Sequence, residues 1–287
     1  MSFNDTVITS DSTTDLSTEL RERYNISLIP LIINLDDKAY RDGIDINPDG
    51  IYEHHDKTGK LPKTAAPNVE DYINFFKQFT DAGKKIIHFT ISSDMSSSYN
   101  NARIAAEEVG NVFVIDTMNL STGGGLLVLA AADMLNSGLS AEETVEKTKA
   151  LVPCVDASFV IDSLEYLYKG GRCSALAMLG ANLLKLKPCI QVKNGKMDVA
   201  KKYRGKYSEV LKEYISERTA DYSDIILDRV FITHAGCDPE LVDEIVEQVK
   251  AAAPFKEVFM TRAGCTVSSH CGANTLGILF IRKSPIE

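Results

Sequence analysis

The sequence lacks the short motifs that mark common nucleotide sites and common serine hydrolases. The triple glycine Gly123-Gly124-Gly125 is not followed by Gly-Lys-Ser/Thr, so it is not a P-loop, and close helix packing explains it better. No G-x-G-x-x-G follows a predicted strand, which argues against a dinucleotide site. G-x-S-x-G is also absent, which lowers the case for an α/β hydrolase. We therefore expect no nucleotide site in this chain.

Paired cysteines and an excess of basic residues are also missing. The six cysteines form no C-x-x-C and match no zinc-ligand spacing, so we expect buried thiols and no metal site. The 287 residues carry 31 basic and 40 acidic side chains, a net charge of −9, which argues against nucleic acid as a partner. Basic residues do cluster over 185–206, where a solvated hairpin and helix start is the expected structure.

No apolar run is long enough to span a bilayer. Residues 152–160 form a short apolar segment that Asp156 interrupts. The N-terminus has no basic region leading into an apolar run, so we expect no signal peptide. These features predict a cytoplasmic protein without stable membrane insertion, and they are compatible with transient membrane contact.

The apolar segments of the first half predict alternating strands and helices. Strands are expected over 85–91 and 111–115, with a helix over 99–109 between them. Residues 120–135 are apolar nearly all round, which is typical of a helix buried on several sides. Such alternation implies a parallel sheet with right-handed crossovers.

Two local features complete this N-terminal pattern. Residues 28–35 are predicted as one strand, apolar apart from Pro30 and Asn34, and turn residues then bracket a small hairpin. Thr64 is expected in a loop.

After residue 153, strands are more often paired through turns, and Asn194-Gly195 is a two-residue hairpin signal. A chain of 287 residues is also longer than one that typically folds around a single hydrophobic core. We predict an α/β protein with an N-terminal parallel-sheet domain over 1–153 and a smaller C-terminal α+β domain over 154–287. A ligand would bind at their junction.

Hydroxyl side chains follow the predicted strands, at the sheet edge where open α/β proteins bind ligands. Ser96 lies in the stretch after the strand over 85–91, Thr64 lies in a neighbouring loop, and His270 follows Ser268-Ser269. Hydroxyl, imidazole and backbone donors can hold an anion without a fixed counter-charge. The pattern is compatible with a pocket for a small acid. It is equally compatible with an N-cap serine and a loop threonine that bonds its own backbone.

Two further segments have both a structural and a functional interpretation. Lys169-Gly170-Gly171-Arg172 is predicted to end a short helix, with glycine in a left-handed cap. Arg172 would then lie in solvent, or bind a phosphate or a partner. Residues 175–184 mix small and large apolar side chains, which fits an ordinary core helix or the wall of a tunnel for an alkyl chain.

Seven stretches, ordered over almost the whole chain, resemble the DegV family. They are Ile8–Leu16, Lys63–Pro67, Ile91–Tyr99, Ile161–Leu167, Lys169–Arg172, Arg204–Lys206 and His270–Gly272. The resemblance implies a two-domain α/β fold and a fatty-acid-binding subunit of a bacterial fatty acid kinase. It implies that this chain is not itself an enzyme and has no cofactor.

The resemblance also implies roles for individual residues. A long-chain fatty acid would place its carboxylate at Thr64, Ser96, Ser97 and His270. Its tail would lie against Leu176, Leu179 and Leu183. A separate ATP-binding kinase subunit would convert the carboxylate to an acyl phosphate for phospholipid synthesis. Arg172 and Arg204 would face that kinase or the phosphate.

The chain departs from the family pattern around this site. Ser97-Ser98 stand where the family usually has Gly-Thr, and Ala65-Ala66 replace Ser-Gln, so the surroundings of the head group differ. Two other hypotheses stay open beside a lipid carrier. One is a hydrolase or phosphotransferase that uses Ser96 and His270 on its own, and the other is a regulatory or scaffolding protein.

Overall fold

The computed structural model describes residues 5–173 and 186–286. In this part of the chain the strands are β1 (Thr6–Asp11), β2 (Ile26–Ile29), β3 (Ile32–Leu35), β4 (Lys38–Arg41), β5 (Lys63–Ala65), β6 (Lys85–Thr90), β7 (Val112–Asp116), β8 (Val155–Ile161), β9 (Leu186–Lys193), β10 (Lys196–Arg204), β11 (Ile225–Ala235), β12 (Glu257–Arg262) and β13 (Thr275–Arg282). The helices are α1 (Thr18–Tyr24), α2 (Pro48–Thr58), α3 (Val69–Thr80), α4 (Ser98–Val109), α5 (Ser121–Asn136), α6 (Ala141–Leu151), α7 (Glu165–Gly170), α8 (Tyr207–Thr219), α9 (Pro239–Ala252) and α10 (Cys265–Cys271).

The first half of the chain builds a parallel sheet, as its sequence predicts. Strand order is β2-β1-β6-β7, and all three neighbouring pairs are parallel. Helices α3 and α4 contribute Tyr72, Phe76 and Ala102 to a core with Ile86 of the sheet. Because every strand here is parallel, the loops after β1, β6 and β7 emerge at the same edge of the sheet.

Helix α5 is buried on several sides, as its uniformly apolar sequence predicts. It contacts β1 and β6 of the parallel sheet and β8, β11 and β13 of the second sheet. Its glycines let other chain segments approach closely. A β-carbon on Gly125 would lie 2.9 Å from the carbonyl oxygen of Thr14, and one on Gly123 would lie 2.1 Å from Asn119 Oδ1. The triple glycine therefore serves packing.

The second half builds a six-stranded mixed sheet in the order β10-β9-β8-β13-β11-β12. Only β11 and β12 pair in parallel among these neighbours. Asn194 and Gly195 join β9 to β10 with φ of 49° and 79°, which confirms the two-residue hairpin. Helices α8 and α9 pack on this sheet through residues such as Leu211, Tyr214 and Ile245.

The prediction of one strand over residues 28–35 is wrong. Strand β2 ends at Ile29 and belongs to the parallel sheet, whereas β3 begins at Ile32 in a separate three-stranded sheet ordered β4-β3-β5. Pro30 has no N–H for a sheet ladder and a fixed φ, so the chain leaves one sheet there and enters another. Thr64 lies in the short strand β5 rather than in a loop.

The chain thus has an α/β fold with a parallel sheet in its N-terminal part and a mixed sheet in its C-terminal part. One continuous apolar cluster joins the two parts and includes Ile8, Leu127 and Phe231. A domain boundary between residues 153 and 154 stays a prediction. Within the two described ranges, no helix combines the length and the apolar character needed to cross a bilayer.

Candidate functional site

A cavity of about 270 Å³ opens where the carboxyl edge of the parallel sheet meets the three-stranded sheet and α10. Its volume is near the lower end of the range typical of small-molecule sites, roughly 300–1,000 Å³. The lining residues come from seven separate chain segments. They are Leu31, Thr64, Ala65, Ala66, Ile91, Met95, Ser96, Ser97, Leu120, Arg172, Met197, Thr266, Val267, His270 and Cys271. All four residues predicted for a head group, and Arg172, therefore lie on one cavity.

Thr64 and His270 form the polar end of this cavity together. Thr64 Oγ1 lies 2.8 Å from His270 Nε2, a hydrogen-bonding distance. Strand β5 holds Thr64 in place by pairing with Ile33 of β3. Helix α10 carries His270 in its last turn, where the ring reaches across to β5.

Ser96 and Ser97 approach from the loop between β6 and α4. The Ser96 N–H donates to the Ser92 carbonyl at 3.1 Å. The Ser96 hydroxyl lies 3.0 Å from Ser98 Oγ and accepts from the Ser98 N–H at 3.2 Å. Ser97 is the N-cap residue of α4, but its side chain makes no capping hydrogen bond. An anion near these serines would also approach the unpaired N–H groups of the first turn of α4.

His270 is electrically neutral at physiological pH. Burial, and then the positive charge of Arg172, lower its pKa from 6.5 to about 4. Its Nδ1 atom is buried, has no hydrogen-bond partner among the described residues and faces Gly170, where a β-carbon would lie 2.5 Å away. Gly170 therefore makes room for the imidazole ring. Gly171 ends α7 with φ of 67°, which confirms the predicted left-handed cap.

Two buried aspartates hold the N-terminus of the His270 helix, and sequence reasoning missed both. Asp42 accepts from the N–H groups of Cys265 and Thr266 at 2.8 and 3.1 Å, and Asp15 accepts from the Gly264 N–H at 2.8 Å. Gly264, the N-cap residue of α10, has no side chain to do this. The two side chains thus replace a local cap, because they accept hydrogen bonds from the first N–H groups of α10.

Asp15 lies among acids rather than cations. Burial is the main cause that raises its pKa to about 8, with smaller contributions from the charges of Asp42 and Asp11. The Ser121 hydroxyl donates to Asp15 Oδ2 at 2.5 Å, which opposes the shift. Asp11, whose pKa is raised to about 6 by burial, accepts from the Ile91 N–H at 2.9 Å. Through these hydrogen bonds the two acids connect the segment around β1 to α10 and to the loop between β6 and α4.

Most of the other residues that line the cavity are apolar. Its hydrocarbon walls come from both halves of the chain: Leu31, Ile91, Met95, Leu120, Met197 and Val267. Cys271 also faces the cavity, and burial raises its pKa to about 12, so it is a protonated thiol. The predicted tail-lining residues Leu176, Leu179 and Leu183 lie outside the described residues.

The two arginines singled out in the sequence occupy different places. Arg172 is exposed, lines the cavity and donates from Nη1 to the Gly170 carbonyl at 2.7 Å. Arg204 ends β10, is exposed and does not line the cavity. The structure thus brings Arg172, but not Arg204, to the cavity wall.

The described contacts do not pair Ser96 with His270 as nucleophile and base. His270 Nε2 contacts Thr64, and the Ser96 hydroxyl contacts Ser98. A serine nucleophile needs its base within hydrogen-bond reach. Over residues 5–173 and 186–286, no cluster of three or more His, Cys, Asp or Glu side chains is arranged to hold a metal ion.

Comparison with known proteins relates this arrangement to one family. A family model described as "Uncharacterised protein, DegV family" matches residues 5–283. A DegV domain-containing protein from Clostridium acetobutylicum is 31% identical over 283 residues, covering 96% of this chain and 98% of that protein.

Solved structures agree with this relationship. A DegV family protein from Thermus thermophilus, described by its fatty acid binding, superposes with a TM-score of 0.88 at 29% identity, over 97% of this chain and 99% of that chain. A stearic acid-binding protein from Eubacterium ventriosum superposes with a TM-score of 0.84 at 31% identity, over 96% and 98%. The chain described here belongs to the DegV family.

Proposed function

We propose that this chain binds a long-chain fatty acid in the cavity and presents its carboxylate to a separate ATP-dependent kinase subunit. The observation that carries the proposal is that Thr64, Ser96 and His270 line one cavity with largely apolar walls, and that Thr64 and His270 are in hydrogen-bond contact there. Fatty acid binding by the Thermus and Eubacterium relatives supports the same ligand class.

The hydrocarbon walls would supply most of the affinity. Each methylene removed from water contributes roughly 0.8 kcal/mol, so a long tail gains many times more than one hydrogen bond. The tail would lie against Met95, Leu120, Met197 and Val267. Contact with Leu176, Leu179 and Leu183 stays a prediction from the family resemblance.

The head-group end would supply orientation. A neutral His270 adds no charge of its own, so the carboxylate would be held by hydroxyl and N–H donors of Thr64, Ser96 and Ser97. Such a site can release a carboxylate and accept an acyl phosphate, because no tight ion pair has to be broken. The chain then transfers no phosphate itself, and the kinase supplies ATP.

Arg172 and Arg204 are proposed to act toward the kinase or the phosphate. Both are exposed, and guanidinium groups bind phosphates and acidic surfaces in a bidentate manner. The acyl phosphate would pass onward to phospholipid synthesis, in the cytoplasm.

The binding proposal is tested by extracting the gently purified protein with organic solvent and identifying acids by mass spectrometry. Ser96→Ala should weaken stearic acid binding about tenfold, as expected for a lost hydrogen bond to a charged group, but should spare methyl stearate. Ser93→Ala is the control in the same loop, since Ser93 is exposed and does not line the cavity. Repeated recovery of water-soluble metabolites alone would contradict the proposal.

Activity assays on the same preparation distinguish the carrier hypothesis from that of an autonomous enzyme. Adding ATP and the kinase subunit should yield acyl phosphate, whereas the chain alone should hydrolyse neither esters nor phosphates. Turnover by the isolated chain that Ser96→Ala abolishes would instead favour a hydrolase or phosphotransferase.

A further inference from the structure

The tip of the β9–β10 hairpin lies against the loop between β6 and α4. This segment, residues 91–97, is called the serine loop and lines the cavity. The Ser92 hydroxyl donates to the Gly195 carbonyl at 2.7 Å, across 103 residues of sequence. Lys196 Nζ lies 3.7 Å from Asp94 Oδ1 beside this contact. The hairpin tip therefore contacts the loop after β6 through a hydrogen bond and an exposed ion pair.

Ser92 links that contact to the residues on the cavity. Its hydroxyl also accepts from the Asp94 N–H at 3.2 Å, and its carbonyl accepts from the N–H groups of Met95 and Ser96 at 3.0 and 3.1 Å. The Ser92 N–H donates to the Asn119 carbonyl at 2.9 Å, and the side chain is fully buried. A shift of Ser92 would therefore move both Met95 and Ser96.

The hairpin also forms part of the cavity wall. Met197 follows Gly195 by two residues, is buried and lines the cavity. The Cys173 thiol contacts the Met197 carbonyl at 3.5 Å. The Ser92–Gly195 contact thus fixes the spacing between the loop with Met95 and Ser96 and the wall formed by Met197.

We propose that Gly195 and Ser92 are positioning residues. They set the distance between the serine loop, which carries Met95 and Ser96, and the cavity wall formed by Met197. This inference rests on the proposed fatty acid binding and adds the residues that determine its affinity. Neither residue would touch the ligand, because neither lines the cavity.

Gly195 is required at the tip for two independent reasons. Its φ of 79° lies in the left-handed region. A β-carbon there would also lie 2.8 Å from Ser92 Oγ, 2.8 Å from Met118 Cε and 3.0 Å from Asp94 Oδ2. A side chain at position 195 would therefore force the Ser92 hydroxyl and the ends of Met118 and Asp94 to move, or the hairpin to move away from the loop.

Gly83 provides a matched control. It has a similar φ of 75°, but a β-carbon there would meet nothing within 4 Å. Gly83→Ala should lower thermal stability through backbone strain and leave the affinity for stearic acid unchanged. Gly195→Ala should weaken stearic acid binding about tenfold, as expected for displaced packing.

A cross-link distinguishes positioning from a general loss of structure. Because a β-carbon at position 195 would lie within disulfide reach of the γ atom of residue 92, the double variant Ser92→Cys/Gly195→Cys can be oxidised with copper phenanthroline. Oxidation should restore affinity toward the wild-type value, and reduction should abolish the gain. The wild-type protein treated in the same way controls for the native cysteines.

Different results would contradict the proposed fatty acid binding and the positioning role of Gly195. Failure of the wild-type protein to bind stearic acid would overturn the proposed function. Wild-type binding with an unchanged Kd for Gly195→Ala, or equal losses for Gly195→Ala and Gly83→Ala, would overturn the positioning role alone. Oxidised and reduced double variants with the same low affinity would also overturn it, once peptide mass spectrometry confirms the cross-link.

Discussion

Gly170 and His270 approach so closely that a β-carbon on Gly170 would lie 2.5 Å from His270 Nδ1. The last turn of α7 therefore forms one side of the slot that holds the imidazole ring against Thr64.

Gly170→Ala should displace the ring and weaken fatty acid binding by about tenfold, although alanine favours helix locally. Gly171→Ala is the matched control, because its φ of 67° is strained for alanine but its β-carbon would meet nothing within 4 Å. We expect it to reduce the melting temperature and to leave Kd unchanged. Calorimetric titration with stearic acid and thermal unfolding measure both effects, and equal Kd values for the two variants would contradict the slot.

Arg172→Ala should raise the pKa of His270. The positive charge of Arg172 is the second cause that lowers this pKa to about 4, after burial, so the pKa should move toward 6.5 without reaching it. Imidazole resonances followed by NMR between pH 3 and 8 measure the change. Arg204→Ala should leave the same resonance unaltered, since Arg204 does not line the cavity.

The two arginine variants are also informative with the kinase. Both should retain lipid binding and form less acyl phosphate. Loss of lipid binding in a folded Arg172→Ala or Arg204→Ala protein would contradict the assignment to the kinase or phosphate.

Asp15→Asn should make the protein more stable in mildly alkaline solution. The pKa of Asp15 is about 8 when folded and near 3.8 when unfolded, so the folded state binds the extra proton in between. The free energy of unfolding therefore falls as pH rises from about 4 to 8. Asparagine cannot ionise and can still accept from Gly264 and donate to Ser121. We expect a relative gain of roughly 1–4 kcal/mol at pH 8 over pH 4.

Urea unfolding at both pH values measures this gain. Asp37→Asn serves as control, because it removes an exposed carboxylate and should leave the pH dependence as in the wild type. Parallel curves for Asp15→Asn and the wild type would show that Asp15 is ionised throughout.

Gly125→Ala and Gly124→Ala should change the free energy of unfolding differently, although the two glycines are neighbours in α5. A β-carbon at 125 would lie 2.9 Å from the backbone oxygen of Thr14, which cannot yield easily, so we expect a loss of about 1–3 kcal/mol. A β-carbon at 124 would have its nearest contact at 3.4 Å, and we expect a change between zero and a gain of about 1 kcal/mol. Urea unfolding of both variants tests the pair.

The sequence predicts those elements whose signals are local. Apolar periodicity identifies the alternating first half, and Asn194-Gly195 and Gly171 identify a hairpin turn and a helix cap, because φ > 0 restricts the residue type. Strand β5 escapes prediction because three residues have no periodicity, and its pairing with β3 depends on distant residues. Pro30 does carry a signal, namely a missing N–H within an apolar run.

In the candidate site too, local signals are predictable from sequence and long-range contacts are not. Ser96 and Ser97 follow a predicted strand, so their place at the carboxyl edge follows from parallel topology, whereas Thr64 comes from β5 of the antiparallel three-stranded sheet. The aspartates that hold α10 could not be assigned, because Gly264 carries no capping side chain. Asp15, which accepts from Gly264, and Asp42, which accepts from Cys265, lie more than two hundred residues earlier. The signal available was the pair of acids in Ser10–Asp15 and the Asp42-Gly43 turn, and both patterns fit ordinary loops.

The bond between Thr64 and His270 closes a loop of 206 residues. Contacts of such long range form late, after the entropy of loop closure has been overcome. A nascent chain would consequently remain unable to take up its ligand until its final helix has docked. Ligand bound at that stage would stabilise both ends of the polypeptide together by mass action, so that occupancy itself would protect the finished protein from degradation.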